Sequence, residues 1–140
     1  MEHLLPSPDV GPDAGPYWDA AKENRFVIQQ CTDCNSWRFF PSHLCPSCGS
    51  DKAEWKEPSG KGVIHSFTEV HRGPTPEFRA HTPYMIVLVD LDEGPRIMTN
   101  LIGNNLDQCQ IGAPVEVCFE NRQNDTKVPQ FRLSKTEADT

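Results

Sequence analysis

The stretch CTDCNSWRFFPSHLCPSC, residues 31–48, decides the fold of this chain. It contains two C-x-x-C pairs, Cys31 with Cys34 and Cys45 with Cys48, and ten residues separate the pairs. Each pair sets two thiolates on one side of a tight turn, and two facing turns create the tetrahedral four-sulfur cage that zinc prefers. The spacing therefore predicts a zinc site with these four cysteines as its ligands.

Two alternative interpretations of the four cysteines are a pair of disulfides and a redox C-x-x-C motif. A redox motif normally occurs once and lies in a βαβ pattern, which this sequence lacks. A cage closed by four thiolates leaves no coordination position for a substrate. We therefore expect the zinc to be structural and to contribute about 10 kcal/mol of apparent folding free energy. Cys109 and Cys118 lie outside the pattern, and we interpret them as buried unpaired thiols.

Short β-prone runs surround the two cysteine pairs. Residues 26–30 lead into the first pair, residues 37–40 lead away from it, and Trp55 lies on a predicted returning strand. This alternation of strand and metal-binding turn is typical of a rubredoxin-like zinc ribbon, whose aromatic residues we expect to pack rather than bind. Pro16 is suited to the first turn of a short preceding helix.

The remaining sequence predicts a small antiparallel barrel. Five β-prone runs, at residues 63–70, 84–91, 96–102, 115–120 and 130–133, are separated by turn clusters, and no long helical period is present. A five-stranded OB-fold is the first candidate for such a pattern. Alternation in the first two runs is ambiguous, so we expect apolar burial on both of their faces.

The predicted architecture is therefore mainly β, with an N-terminal short helix and a rubredoxin-like zinc ribbon followed by a five-stranded OB-fold barrel. We divide the chain into a flexible arm (1–14), the helix and zinc ribbon (15–57) and the OB-fold domain (58–140). We place the boundary before the last domain at the start of the Pro- and Gly-rich stretch, residues 58–62.

Composition restricts the partners and the compartment. The net charge is −7, and residues 25–56, with four basic and three acidic residues, have a net charge of only +1. Nucleic-acid binding relies on a basic face that neutralises phosphates, and neither predicted domain offers a strong one. The sequence shows no secretion signal and no apolar run near the ~18 residues of a membrane span. We expect a cytoplasmic protein without a membrane partner.

The loop between the first two barrel strands, residues 71–83, is the second unusual segment. It holds three prolines, which lower the entropy of a free loop, and four residues suited to contacts with a ligand or partner: His71, Arg72, Phe78 and Arg79. The arginines are suited to pairing with a phosphate or carboxylate, and the first loop of an OB-fold helps frame its ligand face. An ordinary solvated loop with incidental charge explains the same residues equally well.

No known catalytic motif is present in the sequence. It lacks G-x-S-x-G, a P-loop, G-x-G-x-x-G and H-E-x-x-H. His65 and Ser66 are neighbours, but successive strand residues point to opposite faces and cannot form a base and nucleophile pair there. We expect no catalytic residues and no activity from this chain alone.

Several motifs, in order, resemble a known family. They are an aromatic-containing helix, the two cysteine pairs, a G-x-V-x-x-x-T strand at residues 62–68, Pro83-Tyr84, the acidic turn at residues 90–94 and IGAPVEV at residues 111–117. Together they resemble the zinc-ribbon plus OB-fold proteins of acyl-CoA metabolism. The resemblance covers about residues 15–135.

The resemblance implies an accessory subunit. Members of that family accompany thiolase-like enzymes, including steroid side-chain aldolases, in which the thiolase-like subunit carries the chemistry on a CoA thioester. It implies a non-catalytic partner that stabilises such an enzyme and helps bind acyl-CoA, with Arg72 and Arg79 as candidates for a CoA phosphate. Two alternatives stay open: a single-stranded nucleic-acid binding module, since ribbons and OB-folds occur in such proteins, and a stand-alone CoA thioester hydrolase or transferase.

Overall fold

The computed structural model describes residues 14–39, 41–123 and 126–134. The predicted arm lies outside the described residues except for Ala14. Phe40, which we expected to pack in the ribbon, also lies outside them.

The N-terminal part is a short helix followed by a three-stranded antiparallel sheet. Helix α1 covers Gly15–Lys22 with Pro16 in its first turn, where a missing backbone N–H costs nothing. The sheet has the order β2-β1-β3, formed by β1 (Ile28–Cys31), β2 (Trp37–Arg38) and β3 (Ala53–Lys56). Trp55 lies on β3 as predicted, and the zinc-ribbon prediction is confirmed.

The second part is a closed five-stranded barrel, as predicted. Its strands are β4 (Lys61–Val70), β5 (Tyr84–Leu91), β6 (Arg96–Leu101), β7 (Pro114–Asn121) and β8 (Lys127–Leu133), in the order β4-β5-β6-β8-β7. Among the strand pairs that the structure describes, only that of β6 with β8 is parallel. A short helix, α2 (Pro76–Arg79), interrupts the loop between β4 and β5, and a 3-10 helix covers Leu106–Gln108.

In the first two barrel strands the buried residues lie on one face, whereas we predicted apolar burial on both faces. In β5 the buried positions alternate strictly and include Val87 and Val89, while the opposite face is half-buried. In β4 only Gly62 and Ile64 are buried, and Phe67 keeps 40% of its surface exposed. The exposed half of β4 follows a register shift between Ile64 and Ser66, and irregularities of this kind bend a strand locally.

One apolar core joins the ribbon to the barrel. Phe26 and Ile28, just before and on β1, belong to the same buried cluster as the inward residues of the barrel. The rings of Phe26 and Phe131 meet edge to face with centroids 6.0 Å apart. Full burial of one such side chain contributes about 1.5–3 kcal/mol, so this contact fixes the ribbon against the barrel.

Candidate metal centre and adjoining cleft

The two cysteine turns have the same backbone construction. In the first, the N–H of Asn35 donates to the Cys31 carbonyl at 2.9 Å, and in the second the N–H of Gly49 donates to the Cys45 carbonyl at 2.8 Å. Asn35 and Gly49 both have positive φ, 63° and 79°, which Asn and Gly tolerate best. Each pair of cysteines is therefore followed by a residue that can close a tight left-handed turn.

These turns bring the four sulfur atoms together. The Sγ atoms of Cys31, Cys34, Cys45 and Cys48 all lie within 4.8 Å of one another. The Cys31–Cys48 and Cys34–Cys45 pairs are 3.6 and 3.7 Å apart. A zinc ion bound tetrahedrally at about 2.3 Å from each sulfur holds its ligands about 3.8 Å apart. The cysteines are thus positioned for zinc, and His43 is not part of the cluster.

Local hydrogen bonds favour the anionic state of some of these cysteines. A backbone hydrogen bond at Cys34 lowers the pKa of Cys31. A hydrogen bond from the Ser36 hydroxyl lowers the pKa of Cys45 to about 5. For Cys48, a backbone hydrogen bond at Ser50 favours the thiolate, but the crowded neighbouring sulfurs outweigh it and raise its pKa to about 12. Four thiolates at this spacing repel one another unless a cation lies between them. A set of four sulfur donors is one that zinc prefers.

The ribbon is braced beside the cage by a buried arginine. Arg38 keeps only 7% of its surface exposed. Its Nε donates to Gln29 Oε1 at 2.9 Å, and its Nη2 donates to the Ser42 carbonyl at 3.0 Å. Because Gln29 lies on β1 and Ser42 precedes the second cysteine pair, this side chain ties the sheet to the second turn.

Within the 71–83 loop, the residues before helix α2 are hydrogen-bonded to the helix. Thr75 Oγ1 accepts a hydrogen bond from the Phe78 N–H at 3.5 Å and caps α2. Arg79 Nε donates to the Gly73 carbonyl at 3.1 Å. A Cβ atom on Gly73 would lie 2.6 Å from the Arg79 nitrogen, so the chain approaches itself there too closely for a side chain.

The structure places the four residues that we selected in this loop in different surroundings. His71 Nε2 lies 3.1 Å from Glu69 Oε1 and is exposed, as are Arg72 and Arg79. Phe78 alone of the four lines a cleft, where its ring lies 5.8 Å from that of Tyr84.

This cleft consists of two adjoining cavities, of about 360 and 250 Å³. Four residues line both cavities: Phe78, Asn100, Arg122 and Gln130. The larger cavity runs between the ribbon and the barrel and has aromatic walls formed by Tyr17, Trp18, Phe26 and Phe39. Burial raises the pKa of Tyr17 well above its usual range, so its hydroxyl stays neutral. Among the described residues, the wall of the larger cavity includes no histidine, cysteine or carboxylate.

Sequence reasoning missed the polar residues between the two cavities. The Arg122 side chain is only 9% exposed, and its Nε donates to Glu120 Oε1 at 2.8 Å. Gln130, 3% exposed, accepts hydrogen bonds from Thr99 Oγ1 and the Asn100 N–H, both at 3.1 Å. These residues come from β6, β8 and the chain after β7. No local motif groups them, and only the barrel topology brings them together.

Acidic neighbours neutralise the arginines on the barrel surface. Arg96 Nε donates to Asp90 Oδ1 at 2.6 Å, and Arg132 Nε donates to Glu116 Oε1 at 3.1 Å. With Arg122 also beside Glu120, these side chains offer little free positive charge for phosphates.

Comparisons with known proteins agree with the fold and the cysteine site. Residues 18–54 match the family model of the ChsH2 rubredoxin-like zinc ribbon domain, and residues 55–120 match that of the ChsH2 C-terminal OB-fold domain. A solved structure of the "Ltp2-ChsH2(DUF35) aldolase" contains a chain of 36% identity. It superposes with a TM-score of 0.79 and covers 90% of this chain and 98% of that one.

Curated relatives include proteins of different lengths. A DUF35 domain-containing scaffold protein of Methanothermobacter thermautotrophicus is 38% identical over 64% of this chain and 68% of its own length. The benzoylsuccinyl-CoA thiolase subunit BbsA of Geobacter metallireducens is 28% identical over 71% of this chain and 66% of its own. A probable enoyl-CoA hydratase alpha subunit of Thermomonospora curvata is 37% identical over 92% of this chain, which spans only 40% of that relative.

The comparisons do not support the alternative of a nucleic-acid binding module. In the described part of the chain, no helix is long and apolar enough to cross a membrane.

Proposed function

This chain belongs to the ChsH2 family of DUF35 zinc-ribbon and OB-fold proteins, and from that premise we propose that it is a non-catalytic accessory subunit of a thiolase-like acyl-CoA enzyme. One observation carries the proposal: this chain superposes on a chain of an aldolase complex with a TM-score of 0.79 and covers 98% of that chain's length. The name of the thiolase subunit BbsA supports the same class of partner. A steroid side-chain CoA aldolase is the specific enzyme that we favour.

The zinc site has a structural role in this proposal. Cys31, Cys34, Cys45 and Cys48 would hold the ion, which supplies only a cross-link between two turns and no reaction step. The division into an arm, a ribbon segment and an OB-fold domain remains our proposal for how the chain is organised. A cytoplasmic location is also part of it, because a reducing compartment keeps such thiols free for metal.

The cleft beside Phe78 is our candidate for acyl-CoA binding. Its volume, about 360 Å³ on the aromatic side, reaches the size range of small-molecule sites, roughly 300–1,000 Å³. Its apolar walls suit an acyl chain, and the amides of Asn100 and Gln130 lie at the junction with the second cavity. Arg72 and Arg79 are exposed on the same loop as Phe78, where they would meet the phosphates of CoA.

Co-expression with a thiolase-like protein from the same organism tests the accessory role. We expect the two chains to elute together in size-exclusion chromatography and to turn over an acyl-CoA only when both are present. The proposal is contradicted if the two proteins elute separately and the stability and turnover of the enzyme do not change when this chain is added.

Phe78→Ala tests the acyl-CoA cleft within that complex. We expect KM for the acyl-CoA to rise about tenfold, because loss of an aromatic contact costs roughly 1.4 kcal/mol of binding. Ile111→Ala, at a side chain that is 70% exposed and outside the cleft, is the matched control. An unchanged KM in Phe78→Ala would place the acyl group elsewhere, even if the complex itself forms.

A further inference from the structure

The two cysteine turns repeat one sequence pattern as well as one backbone construction. The first reads CTDCNS and the second CPSCGS, so a serine follows the second cysteine by two positions in both turns. The Cys31 N–H donates to the Ser36 carbonyl at 2.9 Å. In the same way, the Cys45 N–H donates to the Ser50 carbonyl at 2.8 Å. The two serines therefore occupy equivalent positions, and the contacts of their side chains can be compared directly.

The hydroxyl groups of these two serines make different contacts. Ser36 Oγ lies 3.1 Å from Cys34 Sγ and 3.5 Å from Cys45 Sγ, so it is hydrogen-bonded to one ligand of each turn. Ser50 Oγ instead donates to a carboxylate oxygen of Asp33, across the cage. One turn thus directs its hydroxyl group at the sulfur atoms, and the other directs its hydroxyl group away from them.

The Ser36 hydroxyl is a donor to thiolates when zinc is bound. A zinc-bound cysteine is a thiolate and only accepts hydrogen bonds, so the proton of the hydroxyl has to lie toward the sulfur atoms. Hydrogen bonds to an ionised acceptor are roughly twice as strong as neutral ones. Groups that are hydrogen-bonded to metal ligands typically contribute about 10–100-fold to metal affinity. The same bond draws negative charge away from the sulfur, which makes the thiolate a weaker nucleophile.

The two exposed ligands, Cys34 and Cys48, differ in this protection. The other two ligands of the cage are buried, so a reagent in solution meets these two first. Among the residues that the structure describes, no side-chain hydroxyl is bonded to Cys48 Sγ, which lies 3.6 Å from the sulfur of Cys31 and accepts a backbone hydrogen bond at Ser50. Cys34 is therefore shielded by a hydroxyl group, and Cys48 is not.

We propose that Ser36 positions and shields the Cys34 thiolate, and that Cys48 is the sulfur at which an alkylating electrophile first attacks the zinc cage. The step is a displacement. Cys48 Sγ forms a bond to carbon, the bond from that carbon to its leaving group breaks, and the leaving group departs with the electron pair. The product is an uncharged thioether, whereas the cysteine ligand of a metal is the thiolate, so zinc loses one of its four ligands. The proposal is independent of the accessory role in an acyl-CoA enzyme.

Alkylation of the zinc-loaded full chain with limiting iodoacetamide tests the order of reaction. Iodoacetamide is uncharged, so surface charges do not steer it, and iodide is its leaving group. We expect peptide mass mapping to show an initial rate at Cys48 about tenfold above that at Cys34, with zinc released as Cys48 reacts. Equal initial rates at the two cysteines, or faster reaction at Cys34, would overturn the proposal. This comparison needs no variant.

Ser36→Ala distinguishes shielding from simple bracing of the turns. We expect it to raise the initial alkylation rate of Cys34 about tenfold, toward that of Cys48, and to speed the transfer of zinc to a chromogenic chelator by a similar factor. Ser36→Thr keeps the hydroxyl and should restore the parent rates. Ser50→Ala, at the equivalent position of the other turn, is the matched control and should leave the ratio of the two alkylation rates unchanged. An unchanged ratio in Ser36→Ala, or the same change in both alanine variants, would contradict the role of Ser36.

Discussion

At the scale of single residues, the cage divides its ligands into an inner and an outer pair. Cys31 and Cys45 are buried, whereas Cys34 and Cys48 are exposed. The first cysteine of each pair both accepts and donates the backbone bonds that close its turn. The inner cysteines therefore serve the turn and the metal together, and replacing one should damage both.

Cys45→Ser tests this role directly. We expect zinc content to fall from one ion per chain to well below half, because a neutral hydroxyl is a poor zinc ligand compared with a thiolate. The thermal midpoint should fall with it. Atomic absorption and a thermal melt measure the two quantities. Cys109→Ser, at a half-buried cysteine outside the cage, should keep the full zinc content; equal zinc in both variants would argue against the cage.

Asp90 gives a pH-dependent contribution to stability. The hydrogen bond from Arg96 holds the Asp90 carboxyl pKa below its usual range, with His65 as a further neighbour at 3.6 Å. A carboxyl whose pKa is lower in the folded state stabilises the fold above its unfolded pKa of about 3.9 and loses this contribution as pH falls through the folded pKa. The thermal midpoint of Asp90→Asn should therefore lie below that of the parent at pH 6 and approach it near pH 3.

Arg96→Met is the matched variant for the same ion pair. It should show the same loss at pH 6 and the same convergence at low pH, because it removes the cation instead of the carboxylate. A constant gap between the parent and either variant across this pH range would assign the effect to packing.

At the scale of elements, the loop carrying α2 is organised by one glycine. A methyl group on Gly73 would meet the Phe78 carbonyl carbon at 2.7 Å and the Arg79 nitrogen at 2.6 Å. Both neighbours are backbone atoms, so the loop itself would have to move. The position of Phe78 beside the cleft therefore depends on a residue that does not touch the cleft.

Gly73→Ala should lower the free energy of unfolding by about 1–3 kcal/mol, the usual cost of overpacking, as measured by urea denaturation. Gly15→Ala is the control, because nothing lies within 4 Å of the added methyl group and helix α1 favours alanine. We expect that control to be neutral or slightly stabilising. If both variants behave alike, the loop tolerates the methyl group and our view of its packing is wrong.

The elements also show what the sequence can and cannot predict. The cysteine spacing and the β-prone runs were sufficient for the ribbon and the barrel, and the predicted bounds 84–91 match β5. Strand β8 begins earlier than predicted, at Lys127, and therefore includes Pro129. At Pro129, β8 pairs with β7 but not with β6. A proline is tolerated at such a one-sided position. The cleft was not predictable, because its residues meet only through the closed barrel.

At the scale of the whole molecule, the shared core links the metal site to the barrel. All three tryptophans lie at or before residue 55, so their fluorescence reports on the helix and ribbon, whereas circular dichroism at strand wavelengths is dominated by the barrel. In the zinc-loaded protein we expect both signals to change in one coincident transition. Removing zinc with a chelator should lower the stability of the barrel as well as that of the ribbon.

Phe26→Ala should uncouple the two signals. Loss of a buried phenylalanine costs about 3–5 kcal/mol, and here it removes the contact with Phe131 that joins the two parts. Fluorescence and circular dichroism should then give separate midpoints. Met98→Ala, at an exposed position, should keep one transition. Coincident transitions in Phe26→Ala would mean that other contacts are enough to join the parts.

The joint core also limits how this protein can be cut and recombined. If the barrel were excised, Phe131 would lose the Phe26 ring that covers it. The barrel fragment would then expose an aromatic patch to solvent and tend to aggregate. Lineages that gain or lose neighbouring modules by gene fusion should therefore inherit the ribbon and barrel as one cassette.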